Sequence, residues 1–270
     1  MLVNLMPPVD AELIGLREPD VVVAATGPVR GFVVVHPRYR NWLAKCGVRT
    51  AADALALPGE IVSGHANRHV LQVAMKSGSG TRTLFLKREH AVNWRVRLKN
   101  WRDGFGRVSR SEREAKVLDR LEAAGLPGPH WVAYGEDGDG RAFLLVDELT
   151  GFRDLRAVLA DTALSAADRA TLAARLGESL AALHAAGFDT PDLAAKHVFV
   201  RPGSFSVTVL DWQSAKPAAA LDTIARLDAL ASLNASLVEW LATPRERLRM
   251  LRAYLRAMRP KALFPPPLGG

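Results

Sequence analysis

The sequence predicts an α+β fold of two lobes around a cleft, and three observations carry that expectation. His69–Met75 and Thr83–Lys87 alternate apolar and polar residues on either side of Lys76-Ser77-Gly78-Ser79-Gly80, the pattern of an antiparallel hairpin. Leu172, Leu176, Leu180 and Leu183 recur every three or four residues, the pattern of a helix packed along one stripe. The length of 270 residues exceeds a usual single domain but falls short of two large ones. The expected parts are an extension over residues 1–58 packed on the N-lobe, an N-lobe of antiparallel sheet with one main helix over 59–149, and a small, mainly helical C-lobe over 150–270.

Composition excludes several classes. Hydrophobic residues make up 49 % and charged residues 24 %, enough apolar material for a sizeable core and too much for a disordered chain. Met1–Pro8 lacks the basic start of a secretory signal, and no run of about eighteen apolar residues occurs, so neither secretion nor membrane spanning is expected. Cys46 is the single cysteine, which fits a reducing, cytoplasmic compartment and is expected to pack as a small apolar side chain. The net charge of +8 is concentrated: residues 87–113 carry +6 and residues 244–270 another +6, leaving a mildly acidic remainder. Such localised potential implies anionic partners at particular surfaces.

In chain order, Phe32–Val35 is a short apolar stretch, and Thr50–Leu57 reads as a helix stopped by Pro58-Gly59. Ser63-Gly64-His65-Ala66-Asn67-Arg68 reads as a loop before the hairpin, and Lys87 ends the second hairpin strand. A helix beginning near Ser111 places Glu114, Leu118 and Leu121 on one face, so Glu114 is the expected partner of Lys87, with Glu112 the alternative. Between them, residues 94–107 interleave tryptophan with arginine and lysine. Such a segment either packs its tryptophans on the N-lobe or meets an anionic membrane, a phosphorylated sugar or, least in keeping with the rest, single-stranded nucleic acid. Arg141–Leu149 reads as a buried strand running into a hinge at Glu148 and Leu149. Ser165 caps the next helix, whose last turn holds His184, a packed or dipole-compensating group rather than a catalytic one. The tail supplies helices over 221–241 and 244–258, ending in Pro265-Pro266-Pro267, which is expected to be extended or disordered.

Two aspartates carry the chemistry. Asp192, in Pro191-Asp192-Leu193-Ala194-Ala195-Lys196-His197, and Asp211, in Leu210-Asp211-Trp212-Gln213, each sit beside a short apolar run. Phosphoryl transfer from a nucleotide needs one carboxylate to accept a hydroxyl proton and another to hold the magnesium that bridges the phosphates. The sequence therefore points to a protein-kinase-like active site using ATP and Mg2+. The 63–68 loop, through Asn67 and Arg68, would lie over the phosphates or be an ordinary turn, and the backbone at Glu148 and Leu149 would receive adenine. His197 lies five residues after Asp192, where the kinase pattern has a metal-binding asparagine. It either ligates the metal, holds phosphate or fixes the loop.

Leu86–Glu89, Trp101–Ser109 leading into Ser111–Glu114, Pro191–His197 and Leu210–Gln213 together resemble the Kdo/WaaP lipopolysaccharide kinase family over roughly residues 60–235. The resemblance implies a two-lobed relative of protein kinases that phosphorylates a sugar of the lipopolysaccharide inner core at the inner face of the inner membrane. It implies Asp192 as base, Lys87 as phosphate-binding lysine, Glu114 as its partner, and Asp211 with His197 at the metal. The implied partners are a nucleotide, an anionic lipid-linked sugar and, peripherally, an anionic membrane. Thr190 stands where a histidine often precedes the loop, and this departure leaves room for a nucleotide-binding pseudokinase. A small-molecule kinase resembling aminoglycoside or choline kinases is the remaining alternative, disfavoured by the positive charge.

Overall fold

The computed structural model of the chain describes residues 31–78, 80–216, 218 and 221–259. The terminal proline run and residues 1–30 lie outside the described residues. Strands β1 (Phe32–Val35), β2 (Glu60–His65), β3 (Arg68–Ser77), β4 (Gly80–Glu89), β5 (Trp131–Glu136) and β6 (Ala142–Asp147) form one antiparallel sheet in the order β1-β5-β6-β4-β3-β2. The loop expected at 63–68 is instead the end of β2 and a two-residue turn, Ala66-Asn67, with His65 paired to Arg68.

The period-two alternation of β4 divides the sheet's two faces. Leu84 and Leu86 enter a core with Leu71, Val73, Phe143 and Leu145, roofed by Tyr39, Leu43, Val48, Ala51 and Ala54. The roof comes from two short helices, α1 (Arg40–Lys45) and α2 (Ala51–Ala56), the latter started by a reciprocal Thr50–Asp53 capping box. Residues set apart from the N-lobe in the sequence reading thus supply both an edge strand and the cover of its outer face. Cys46 is only half-buried, its thiol directed to the Lys76 carbonyl at 3.6 Å.

On the other face lie Phe85 and Lys87, together with α3 (Trp94–Arg102) and the main helix α4 (Arg110–Ala123). Ser109 caps α4 through the Glu112 amide, and buried Glu89 accepts from the Ser111 amide at 2.6 Å and its hydroxyl at 2.7 Å. Strand β4 and the start of α4 are therefore locked in register, which fixes where Glu114 points, one turn farther on.

The C-lobe holds a three-stranded sheet of β7 (Arg153–Asp154), β8 (Val198–Arg201) and β9 (Ser206–Val209), and helices α5 (Leu155–Leu159), α6 (Ala166–Ala185), α7 (Thr223–Ser236) and α8 (Pro244–Ala257). Helix α7 is shorter than the expected 221–241. Helices α6 and α8 meet closely at Gly177, where a Cβ would stand 2.2 Å from the Met250 carbonyl oxygen, so only glycine fits. His184 is buried between them, Nδ1 2.9 Å from the Tyr254 hydroxyl. Burial, with a smaller contribution from Arg226, lowers its pKa to about 4, so it is a neutral packed group and not a cation on the helix dipole.

Candidate active site

Between the lobes lies a cleft of about 480 Å³ bordered by Gly64, Arg68, Lys87, Glu148, Leu149, His197 and Asp211, among others. Each bordering side chain has a local cause. Alternation along β4 aims Lys87 inward while Leu84 and Leu86 face the roof. Its ammonium pairs with Glu114 on α4, as the helical spacing predicts, and Arg68 takes the second carboxylate oxygen at 3.2 Å. Burial alone would raise the Glu114 carboxyl, but the charges and hydrogen bonds of Lys87 and Arg68 hold it below the usual carboxylate range. Glu112, the alternative partner, pairs with Lys116 at 2.9 Å. Arg68 also donates to the Gln213 side chain, so the start of β3, α4 and the segment after Asp211 are tied together.

Opposite this cluster, two loops of the C-lobe converge. Leu210 donates its amide to the His197 carbonyl at 2.8 Å, and Asp211 turns away from β9 with φ of +65°, a left-handed conformation aspartate tolerates better than most residues. Gln213 donates to Asp211 Oδ2 at 3.3 Å, whereas buried Asp211 Oδ1 has no hydrogen-bond partner among the described residues. His197 Nδ1 lies 3.1 Å from the Asp192 carbonyl oxygen. A carbonyl only accepts, so Nδ1 carries the hydrogen, and the neutral ring then keeps the lone pair on Nε2, 3.9 Å from Asp211 Oδ2. An orphaned carboxylate oxygen beside an imidazole lone pair suits a bound cation. No group of three or more His, Cys, Asp or Glu side chains clusters for metal binding among the described residues. A cation here would therefore need oxygens from a ligand or water, as magnesium in phosphate sites does.

Asp192 is exposed and borders a small crevice that continues from the cleft through Leu210 and Asp211. Leu193 is buried beneath it, and the Leu193 amide bonds to the Thr190 carbonyl at 3.0 Å, which anchors the loop from below. Asn67 lies in the β2–β3 turn outside the cleft lining, so that side chain is not brought to the site; Ser63, Gly64 and His65 of β2 are.

A model of the lipopolysaccharide kinase (Kdo/WaaP) family matches residues 53–254. The chain belongs to this family. Among solved structures, it is similar to one titled "WaaP in complex with acyl carrier protein", with a TM-score of 0.59, 25 % identity, and coverage of 84 % of this chain and 89 % of that one. A search of the curated proteins found no match. The Kdo/WaaP assignment and this similarity make the two-lobed α+β chain a kinase-like protein of a lipopolysaccharide kinase family.

Sequence reasoning missed Arg113, counted only among the basic residues. It is buried, bonding Asn100 Oδ1 at 2.9 Å, Asp103 Oδ2 at 2.7 Å and the Ala215 carbonyl at 2.8 Å. Its guanidinium carbon also sits 4.6 Å from the centroid of Phe105. Arg113 thus bolts the segment after Asp211 to α3 and α4. The only sequence signal was its place inside the family-like run Ser111–Glu114.

Proposed function

We propose that the chain transfers the γ-phosphoryl group of ATP to a hydroxyl of a lipopolysaccharide core-type sugar, Kdo or heptose. The observation that carries this reading is the convergence of Lys87, Asp211 and the hinge on one cleft, with Asp211 Oδ1 left unpartnered among the described residues. Adenine would meet the hinge, where the Glu148 amide already bonds to the Thr83 carbonyl and the Leu149 amide has no acceptor among the described residues. Lys87, oriented by Glu114, would hold phosphate oxygens. Asp211 and His197 would hold magnesium, which when bound offsets charge on the phosphates. Asp192 would take the acceptor hydroxyl's proton as its oxygen bonds to the γ-phosphorus and the bond to the β–γ bridging oxygen breaks. Arg68, whose two terminal nitrogens are taken by Gln213 and Glu114, serves better as a positioning residue than as a phosphate clamp.

A nucleotide-binding module without turnover is the second reading. It is favoured by Thr190 and by the single glycine of the β2–β3 arm. Incubation with γ-labelled ATP, magnesium and lipid-linked core sugars, beside aminoglycosides and a protein mixture, separates the readings. We expect label on the sugar lipid, lost in Asp192→Ala while nucleotide binding persists. Label on aminoglycoside or protein alone, or none anywhere, contradicts the kinase assignment as stated.

A further inference from the structure

Helix α3 carries its amphipathicity the wrong way round for a core helix. Its inner side is polar: buried Asn100 donates to the Val108 carbonyl at 2.8 Å, and Arg97 pairs with Glu136 at 2.5 Å. Its outer side is apolar. Trp94, Leu98 and Trp101, spaced i, i+4 and i+7 on one stripe, are 66 %, 44 % and 56 % exposed. Beside that stripe run Arg95, Lys99 and Arg102, all exposed and none in an ion pair among the described residues. Exposing three large apolar side chains to water is unfavourable unless something covers them.

We propose that α3 lies on an anionic lipid surface, with Trp94, Leu98 and Trp101 immersed at the headgroup–acyl boundary. Indole rings favour that depth because the ring meets hydrocarbon while the N–H stays wet. The adjacent cationic row is placed to meet lipid phosphates at the same level. A single narrow stripe on a nine-residue helix presents too little area for a stable protein partner. Single-stranded nucleic acid would need the aromatics beside a groove, and neither the cleft nor the crevice at Asp192 is lined by Trp94, Leu98 or Trp101. Helix α8 also exposes leucines and arginines outward but has no tryptophan, and it packs on α6. By contrast, Asp103 at the end of α3 pairs with Arg113 at 2.7 Å and Lys216 at 3.3 Å, so α3 is joined to the segment that follows Asp211. A bilayer on α3 would therefore lie beside the acceptor side of the cleft. That last step rests on the kinase reading; the docking itself does not.

The test is co-sedimentation and tryptophan emission of the full chain with phosphatidylcholine vesicles, with and without phosphatidylglycerol, and no nucleotide or sugar present. We expect binding to the anionic vesicles with a blue-shifted emission, at least about tenfold weaker on neutral ones. The W94S/L98S/W101S variant should bind at least about tenfold more weakly with an unchanged melting temperature. R95E/K99E/R102E should lose the anionic preference, and L251S/L255S on α8 should bind as the parent does. Wild-type chain that binds no vesicles, an α3 variant that binds like wild type, or α3-dependent binding seen only with an oligonucleotide or an acidic protein would each overturn the proposal. Because ATP is absent, such a failure is distinct from failure of phosphoryl transfer.

Discussion

On the N-lobe wall of the cleft, Glu114 is buried with both carboxylate oxygens engaged, one by Lys87 and the other by Arg68; on the C-lobe wall, Asp211 keeps one buried oxygen without a partner among the described residues and Asp192 stands exposed. On the first wall the buried carboxylate is fully paired within the protein. On the proposed reading, the second is completed when a ligand supplies positive charge. If the proposed kinase reading holds, a site divided this way separates two jobs: the N-lobe wall holds a lysine at a fixed place, and the C-lobe wall keeps its unmet demand for the reaction. Changes on the two walls should accordingly damage different properties.

The largest expected effect lies on the C-lobe wall. Asp192→Asn should lower kcat by about 10²–10⁴, the usual worth of a general base, with melting temperature and nucleotide affinity close to wild type. A steady-state assay beside a nucleotide titration checks this; loss of folding instead of turnover would erase the contrast between the walls. Next comes the N-lobe wall, where Glu114→Ala leaves Lys87 and Arg68 without their buried counter-charge. Breaking a buried pair costs about 3–5 kcal/mol, so urea unfolding should show a large loss of stability together with the loss of activity.

The same wall should be acid-sensitive in a defined window. Glu114 is held below its ordinary value of 4.5, so its contribution is present above that value and is lost as pH falls through the lower folded value. His184 gives a smaller effect in a different window. With its pKa lowered from 6.5 to about 4, the unfolded chain binds the proton more readily between those values, and stability therefore falls as pH drops from 6.5 toward 4. The shift corresponds to roughly 3 kcal/mol, and His184→Gln should flatten that part of a stability-versus-pH curve. If the variant keeps the slope, the neutral packed histidine between α6 and α8 is not its source.

How much of this was readable beforehand depended on whether burial left a periodic trace. Strands β3 and β4 and helices α4 and α6 bury one face and repeat accordingly, whereas β6 buries both faces and shows as a continuous apolar run; the Lys87–Glu114 pair followed from those periods taken together with the two aspartate loops. Strand β2 buries none of Glu60–His65 and is held by backbone pairing with β3, so its residues carried no alternation to read. Arg113 could not be told from a solvated arginine, because its partners Asn100, Asp103 and Ala215 meet only through the fold. The stripe Trp94–Leu98–Trp101 was visible in spacing, but its direction was not. Packing on the N-lobe and facing outward give the same sequence, and only the buried Asn100 decides between them. Asp192 and Asp211 were singled out from their loops, while the left-handed turn at Asp211 left no mark in the residue order.

The division between the walls is tested most directly by following thermal unfolding with ATP, with and without magnesium, in the wild-type chain and in Asp211→Asn. The account predicts that magnesium with ATP raises the wild-type melting temperature by about 4 °C or more beyond ATP in EDTA, and that this difference vanishes in Asp211→Asn. Equal stabilisation with and without magnesium in wild type, or a full magnesium effect in the variant, would contradict it.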